Sequence, residues 1–183
     1  EYAGQFGVLM PALVRWGLVP WWVDDPRSFQ LLINARAESA AARPAFRDAL
    51  RYRRCLVPAS GFYEWSATGA SRRPHWVHPR AGGVVAFAGL WETWSDRQHG
   101  GDVDSGCIVT TAANAALAPV HDRMPVMLIP EDYDYWLDAA ATVDELRGML
   151  RPYDEALMRS YPVRRAVNSV RNDTEECIGE VAA

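Results

Sequence analysis

Apolar positions in this chain come in short runs of β-branched, aromatic and aliphatic residues, broken by Pro, Gly and polar clusters. Residues 13–19 read as a strand stopped by Pro20, with Trp21 and Trp22 adjacent in the loop that follows. Residues 29–34 form a second apolar run ending in Asn34-Ala-Arg-Ala-Glu38. Pro44 then opens a helix predicted to about residue 53, with Phe46, Ala49 and Leu50 on its inner face and Arg47, Arg51 and Arg54 outward. Residues 55–65 read Cys-Leu-Val-Pro-Ala-Ser-Gly-Phe-Tyr-Glu-Trp: two β-forming runs around Pro-Ala-Ser-Gly, which predicts two strands joined at a sharp bend. A Gly/Ser/Arg loop is predicted at 66–73, and further strands at 76–78, 84–91, 107–111 and 125–129. Pro130 starts a helix through Trp136 and Leu137. Thr142-Val-Asp-Glu145 is a capping box opening another, with Val143, Leu146, Met149 and Leu150 as its apolar stripe and Pro152 as its stop.

These elements do not alternate one for one. They predict an α+β fold, β-rich, with a strongly curved or barrel-like mixed sheet and three to four peripheral helices. At 183 residues, 49% of them hydrophobic, the chain predicts one domain over residues 1–183 with a real core. No apolar run approaches the length of a membrane span, and no signal-peptide pattern opens the sequence. Cys55, Cys107 and Cys177 are odd in number and lack paired spacing, which points to free thiols in a reducing, cytoplasmic compartment.

The net charge of −4 alone argues against a nucleic-acid binder, but its distribution changes that picture. All 19 basic residues are Arg, and six of them (36, 43, 47, 51, 53 and 54) fall within residues 36–54 against Glu38 and Asp48. Such a chain can present a basic surface despite an acidic total, and the planar guanidinium fork suits phosphate. With no Lys, no side-chain amine is available for Schiff-base chemistry. Trp21 and Trp22 either cap the core or offer a stacking platform for unpaired bases.

Glu64 lies between Tyr63 and Trp65 in a predicted strand. It is either an outward-pointing strand residue or a carboxyl in a pocket, where desolvation would raise its pKa and make it a proton carrier. His121, in Pro119-Val-His-Asp-Arg-Met-Pro125, follows a loop of small residues at 112–118, and Asp122 and Arg123 beside it can set its tautomer and bind an anion. His75 and His78, three apart on a strand, would face opposite ways, so no metal site is predicted. Cys107 with His121 is a conceivable thiol hydrolase pair, although Cys107 opens an apolar strand where a buried thiol is inert.

Five stretches, in order, carry a resemblance: Arg15-Trp-Gly-Leu-Val-Pro-Trp-Trp, Asn34-Ala-Arg-Ala-Glu38, the 55–65 motif, Ile108-Val-Thr-Thr-Ala-Ala-Asn and His121-Asp-Arg-Met-Pro125. Together they resemble the SOS-response-associated peptidase family from about Val14 onward, and the tail Val163-Arg-Arg-Ala-Val-Asn-Ser-Val fits it as well. The resemblance implies a β-rich α+β domain that binds single-stranded DNA at abasic sites. It implies removal of an initiator Met or leader, exposing an N-terminal Cys that forms a thiazolidine with the ring-opened sugar aldehyde. Carried over, Asn34, Glu64 and His121 match the polar active-site residues. Arg36, Arg43, Trp65, Thr110 and the Trp21-Trp22 pair match DNA-contacting positions, and Arg123, the anion-binding neighbour of His121, is a further DNA-binding candidate. It implies no cofactor and no metal, a monomer, a nucleoid-associated location and no membrane partner; partners at replication forks stay unnamed.

The sequence departs from the family at its start. The Met-Cys-Gly-Arg-Phe opening and the Tyr-Asn-x-Ala-Pro motif do not precede Arg15, and Tyr2 is no equivalent of the thiol. The chain as it stands is therefore expected to form no covalent adduct, and the intact protein is expected to supply the Cys. Two other readings stay open: a non-covalent single-stranded nucleic-acid binding module, and a cysteine hydrolase using Cys107 and His121.

Overall fold

A computed structural model describes residues 9–66 and 72–181, so most of the loop predicted at 66–73 and the extreme start lie outside the described residues. Ten strands and four short α-helices are defined: β1 Arg15–Trp16, β2 Asn34–Arg36, α1 Ala37–Ala40, α2 Pro44–Tyr52, β3 Arg54–Ala59, β4 Phe62–Ser66, β5 Arg73–Pro79, β6 Val85–Ser95, β7 Asp102–Ala112, β8 Arg123–Pro125, β9 Met127–Leu128, α3 Tyr133–Leu137, α4 Val143–Leu146 and β10 Met158–Pro162. The α+β expectation holds. The described strands form a seven-stranded mixed sheet and a separate three-stranded sheet, and they do not close into a barrel.

Contacts divide the chain into two compact units. The first comprises Glu1–Val57, Ala86–Thr111 and Pro125–Arg151; the second Pro58–Val85, Ala112–Met124 and Pro152–Ala183. In the first unit β7 is the hub of the large sheet. β1 and β2 run parallel to it, with Arg15 opposite Ser105 and Asn34 opposite Ile108, while β6 runs antiparallel. β9 pairs with β6, and β3 follows β6 in the strand order. Leu18, Ala35, Phe46, Leu50, Leu90 and Val109 build the core beneath this sheet. Trp136 joins them with no exposed surface, and its indole N–H donates to Cys55 O at 3.0 Å.

α2 presents Phe46, Ala49 and Leu50 inward, as its spacing predicts. Arg54, expected to point outward, does not: it is only 5% exposed. Its guanidinium donates to the carbonyls of Leu50 (2.8 Å), Arg51 (2.7 Å), Trp136 (2.6 Å) and Asp138. The last carbonyls of a helix have no partner within it, and one fork of donors serves two helix ends at once. The capping box opening α4 forms as expected, with Glu145 N–H donating to Thr142 Oγ1 and Thr142 N–H to the Glu145 carboxylate.

The second unit holds the three-stranded antiparallel sheet, in the order β10-β5-β4. The predicted bend at Pro-Ala-Ser-Gly is present, but the strands it joins do not pair with each other: β3 belongs to the large sheet and β4 to the small one. Gly61 is required at the bend. A Cβ there would stand 2.4 Å from the carbonyl oxygen of Val77 and 2.6 Å from the Trp76 ring.

Candidate functional site

β4 places alternate side chains on opposite faces of the small sheet. Tyr63 and Trp65 share one face with Trp76, and the Tyr63 and Trp76 rings lie 4.8 Å apart. Trp65 donates its indole N–H to Asn168 Oδ1 at 2.8 Å. With the segment 167–178, Tyr63 and Trp65 line an open cleft of about 550 Å³ whose charged lining residues are Asp173 and Glu175. Glu64 therefore points to the other face.

There it meets His121. Glu64 Oε1 lies 4.0 Å from His121 Nδ1, beyond a direct hydrogen bond, and the two side chains are 23% and 41% exposed. The loop that carries His121 is built by Asn114. This buried residue accepts from Leu117 N–H at 3.0 Å through Oδ1 and donates to Tyr153 O at 2.8 Å. His121 N–H then donates to Leu117 O, and Ala113 N–H to Asp122 O, which closes the loop on itself. The small residues at 112–118 let the chain turn this tightly.

Arg123 donates its backbone N–H to His121 Nδ1 at 3.0 Å. The Arg123 carbonyl oxygen lies 3.2 Å from the same nitrogen, so Nδ1 has a donor and an acceptor of one residue within reach and suits either tautomer. Asp122 Oδ1 lies 3.4 Å from Nδ1 and is available to an imidazolium. Burial raises the Glu64 carboxyl above its ordinary value; attraction to His121 and the Trp65 backbone N–H oppose this, and Asp122 adds to it. Half-burial beside His121 agrees with the desolvated-carboxyl reading of Glu64. A half-buried acid with a raised pKa beside a histidine is an arrangement able to handle protons.

The remaining expected site residues fall in the first unit. Asn34 and Arg36 are exposed on β2, and Arg36 pairs in register with Thr110 on β7. Thr110 is only 9% exposed. Arg43 precedes α2 with its guanidinium 5.3 Å over the Phe46 ring. Trp21 and Trp22 are 51% and 44% exposed, so the pair does not cap the core, and Trp22 meets Phe29 edge-on at 5.7 Å.

The hydrolase reading of Cys107 fails. Its side chain is 2% exposed within the core, and burial pushes the thiol up to about 12, so no thiolate forms near neutrality. Cys55 is likewise pushed up by burial, to about 11. Among the described residues no group of His, Cys, Asp and Glu is arranged to hold a metal ion. No helix there is long and apolar enough to cross a membrane. Two residues in the quoted motifs have structural roles that sequence reasoning missed, Asn114 beneath His121 and Asn168 on Trp65. Asn114 stands out as the polar residue among the alanines at 112–116, whereas Asn168 lies beside Ser169 and close to Arg164 and Arg165, where nothing in the sequence singles it out.

Comparison with known proteins agrees with the motif order. The chain is 38% identical over 167 residues to the abasic site processing protein YoqW of Bacillus subtilis, covering 90% of this chain and 74% of that one. It is 31% identical to the abasic site processing protein YedK of Escherichia coli, covering 92% and 74%. It is also 31% identical to the abasic site processing protein HMCES of Gallus gallus, covering 90% and 56%. A crystal structure of a Bacteroides thetaiotaomicron protein superposes with a TM-score of 0.83 at 28% identity, covering 91% of this chain and 75% of that one. A phage-related protein from Bordetella bronchiseptica gives 0.62 at 33% identity, covering 83% and 70%. Residues 8–170 match the SOS response associated peptidase family over most of the chain, and the chain belongs to that family.

Proposed function

We propose that this protein recognises abasic sites in single-stranded DNA and, in its intact reading frame, captures them covalently through an N-terminal Cys exposed by removal of a Met or short leader. The observation that carries this reading is the Glu64–His121 pair: a desolvated carboxyl 4.0 Å from an imidazole on a tightly built loop, in a chain whose relatives are named for abasic-site processing.

An abasic sugar is mostly a closed hemiacetal. His121 donates a proton to the ring oxygen as the C1′–O4′ bond breaks, the anomeric hydroxyl gives up its proton to water as its oxygen becomes the carbonyl, and the aldehyde is released. The α-amine of an N-terminal residue titrates near pH ~8, so it is a competent nucleophile at neutral pH. Glu64 removes a proton from nitrogen as the N–C1′ bond forms and the carbonyl π bond opens, water protonates the former carbonyl oxygen to a hydroxyl, and Glu64 returns its proton to that hydroxyl, which leaves as water with the C1′–O bond; the proton later lost by the thiol neutralises the hydroxide formed. The Cys thiol then adds to the resulting iminium carbon and loses its proton, closing the thiazolidine. Asn34 is assigned to orienting the sugar hydroxyl or the amine. Arg36, Arg43 and Arg123 are assigned to flanking phosphates, Thr110 to a polar contact with the strand, and Trp21, Trp22 and Trp65 to unstacked bases. Glu64 also serves self-cleavage of the leader in this reading.

The test uses the intact frame beginning Met-Cys. His121→Ala is expected to slow adduct formation on a closed abasic sugar by ~10²–10⁴-fold, the usual worth of general-acid help. A substrate presented as a free aldehyde should be nearly indifferent to that change. Equal slowing of both substrates on denaturing gels refutes the ring-opening role. An intact protein that binds single strands but never yields a denaturation-resistant adduct supports the non-covalent module instead.

A further inference from the structure

The aromatic face of the small sheet, turned away from Glu64, carries a second feature. Tyr63 and Trp65 stand 6.4 Å apart with their rings tilted at 49°, and they floor the open cleft of about 550 Å³. That volume is in the range of ligand-binding clefts. The segment 167–178 forms the facing wall, and hydrogen bonds fix its shape. Trp65 donates to Asn168 at 2.8 Å, the Tyr161 hydroxyl to Ile178 O at 2.9 Å, and the Asn172 side-chain amide to Ala166 O at 2.7 Å. The cleft is thus built ahead of any guest, yet its polar groups are unused. Asp173 and Glu175 are its charged lining residues, and neither carboxylate makes a hydrogen bond or ion pair among the described residues. The Tyr63 hydroxyl has no hydrogen-bond partner among them either. Burial is the main cause that raises the Tyr63 phenol above its ordinary value; Cys177, Asp173 and Tyr161 add to it, so Asp173 is near enough to act on the cleft floor. Val170, fully exposed, and Ile178, 42% exposed, give the cleft an apolar rim.

We propose that this cleft is a docking site for an arginine side chain on an extended segment of a partner protein. Aromatic faces attract a cation, and a guanidinium stacks on them well because it is planar and weakly hydrated. The two unpaired carboxylates receive its N–H groups, and the apolar rim covers the methylene stem behind the charged head. Because the cleft is open, the chain on either side of the arginine can pass out to solvent. Charge decides against a nucleic-acid strand: among the described residues no basic side chain lines the cleft, and two carboxylates repel phosphates. The proposal goes beyond the DNA reading and does not rest on it. Trp65 is the one residue that the cleft shares with the proposed DNA path, so the experiment sets an oligonucleotide beside the peptide.

The probe is a capped glycine-rich peptide carrying one arginine, beside the same peptide with citrulline, which keeps the planar group and loses the charge. Binding to the chain as it exists is followed by NMR, from the amide signals of residues 173–177 and the Trp65 indole signal. The arginine peptide is expected to move these signals saturably, and the citrulline peptide to bind about 10-fold more weakly. Asp173→Asn combined with Glu175→Gln should weaken the arginine peptide about 5- to 20-fold. Glu131→Gln combined with Asp134→Asn removes the same charge from exposed acids in the other unit and should leave its affinity unchanged. Equal binding of the two peptides, or equal weakening by the two variants, overturns the proposal. An undamaged single-stranded oligonucleotide that moves residues 173–177 where the arginine peptide does not assigns the cleft to a base and overturns it as well. Signals that shift with protein concentration alone assign the cleft to a second copy of the chain, against a partner protein. Adduct formation by the intact frame should be unchanged in Asp173→Asn with Glu175→Gln, so an intact frame that gives no adduct overturns the covalent function and leaves this site standing.

Discussion

Glu64 and Glu92 are both half-buried or buried carboxyls on strands, and burial is the largest influence on each, raising both above their ordinary values. Their partners differ. Glu92, in the first unit, receives the Arg53 guanidinium at 2.6 Å and the Thr93 backbone N–H at 3.2 Å. The planar guanidinium fork suits a carboxylate, so the pair is a fixed brace between the residue that leads into β3 and β6. Glu64, in the second unit, has a histidine at 4.0 Å, too far for a direct bond and itself able to gain or lose a proton. One carboxyl is held by a permanent cation; the other is left adjustable. The difference fits a bracing role for Glu92 and the proposed proton-handling role for Glu64 better than burial or pKa direction, which the two share.

The sharpest way to break the comparison is to remove each carboxyl's function. Glu64→Ala in the intact frame should slow adduct formation on closed and free-aldehyde substrates alike by ~10²–10⁴-fold, because both need the amine proton moved. Affinity for undamaged single strands should be unchanged, as Glu64 is assigned to no phosphate. Denaturing-gel time courses and an anisotropy titration measure the two halves; a variant that still reacts at the parent rate reduces Glu64 to a strand residue.

Arg53→Met should show the reverse pattern. It leaves Glu92 buried without its cation, at a cost of about 2–3 kcal/mol, below the 3–5 kcal/mol of a fully buried pair because the Arg53 side chain is 24% exposed. The lost cation raises Glu92 further, so the deficit is largest at neutral pH and shrinks as acid protonates the carboxyl. Adduct formation by the folded protein should keep its parent rate. Urea unfolding at neutral and acidic pH measures the deficit; one that grows in acid contradicts the brace.

Much of this was legible in the sequence. The inward face of α2, the α4 capping box and the bend at Pro-Ala-Ser-Gly follow from spacing and chemistry that act within a few residues, whereas the sequence left the environment of Glu64 open between two readings. What was not legible depends on partners far along the chain. Arg54 continues the outward arginine pattern of α2, yet the carbonyls that claim it belong to Trp136 and Asp138, more than 80 positions away. The bend predicts two strands, but which sheet each joins is decided by β5 and β6. Likewise Asn34, Glu64 and His121 came from motif order, while the seating of His121 on Asn114 and the hold of Asn168 on Trp65 are properties of the fold. Local rules fix side-chain faces and caps; strand register chooses the neighbours.

The smallest expected effect gives the most direct reading of Glu64 as a residue kept for function at a cost in stability. Its folded carboxyl is raised above its unfolded value by burial. For a group shifted in that direction, its favourable contribution is fully present below the unfolded pKa and is lost as pH rises through the folded one. Charged Glu64 at neutral pH is therefore a net burden on the folded state. Glu64→Gln keeps the shape and removes the charge. It should gain roughly 0.5–1 kcal/mol at neutral pH, the low end of what relieving an unfavourable functional residue yields. The gain should close as pH falls below the ordinary carboxylate range, where the parent residue is itself neutral. Paired thermal or urea unfolding of the two proteins from acid to neutral pH measures the gap. A gap that does not vary with pH, or a variant less stable than the parent at neutral pH, means that His121 and the Trp65 amide already hold the charge as firmly as Arg53 holds Glu92. The distinction between the two carboxyls would then fail.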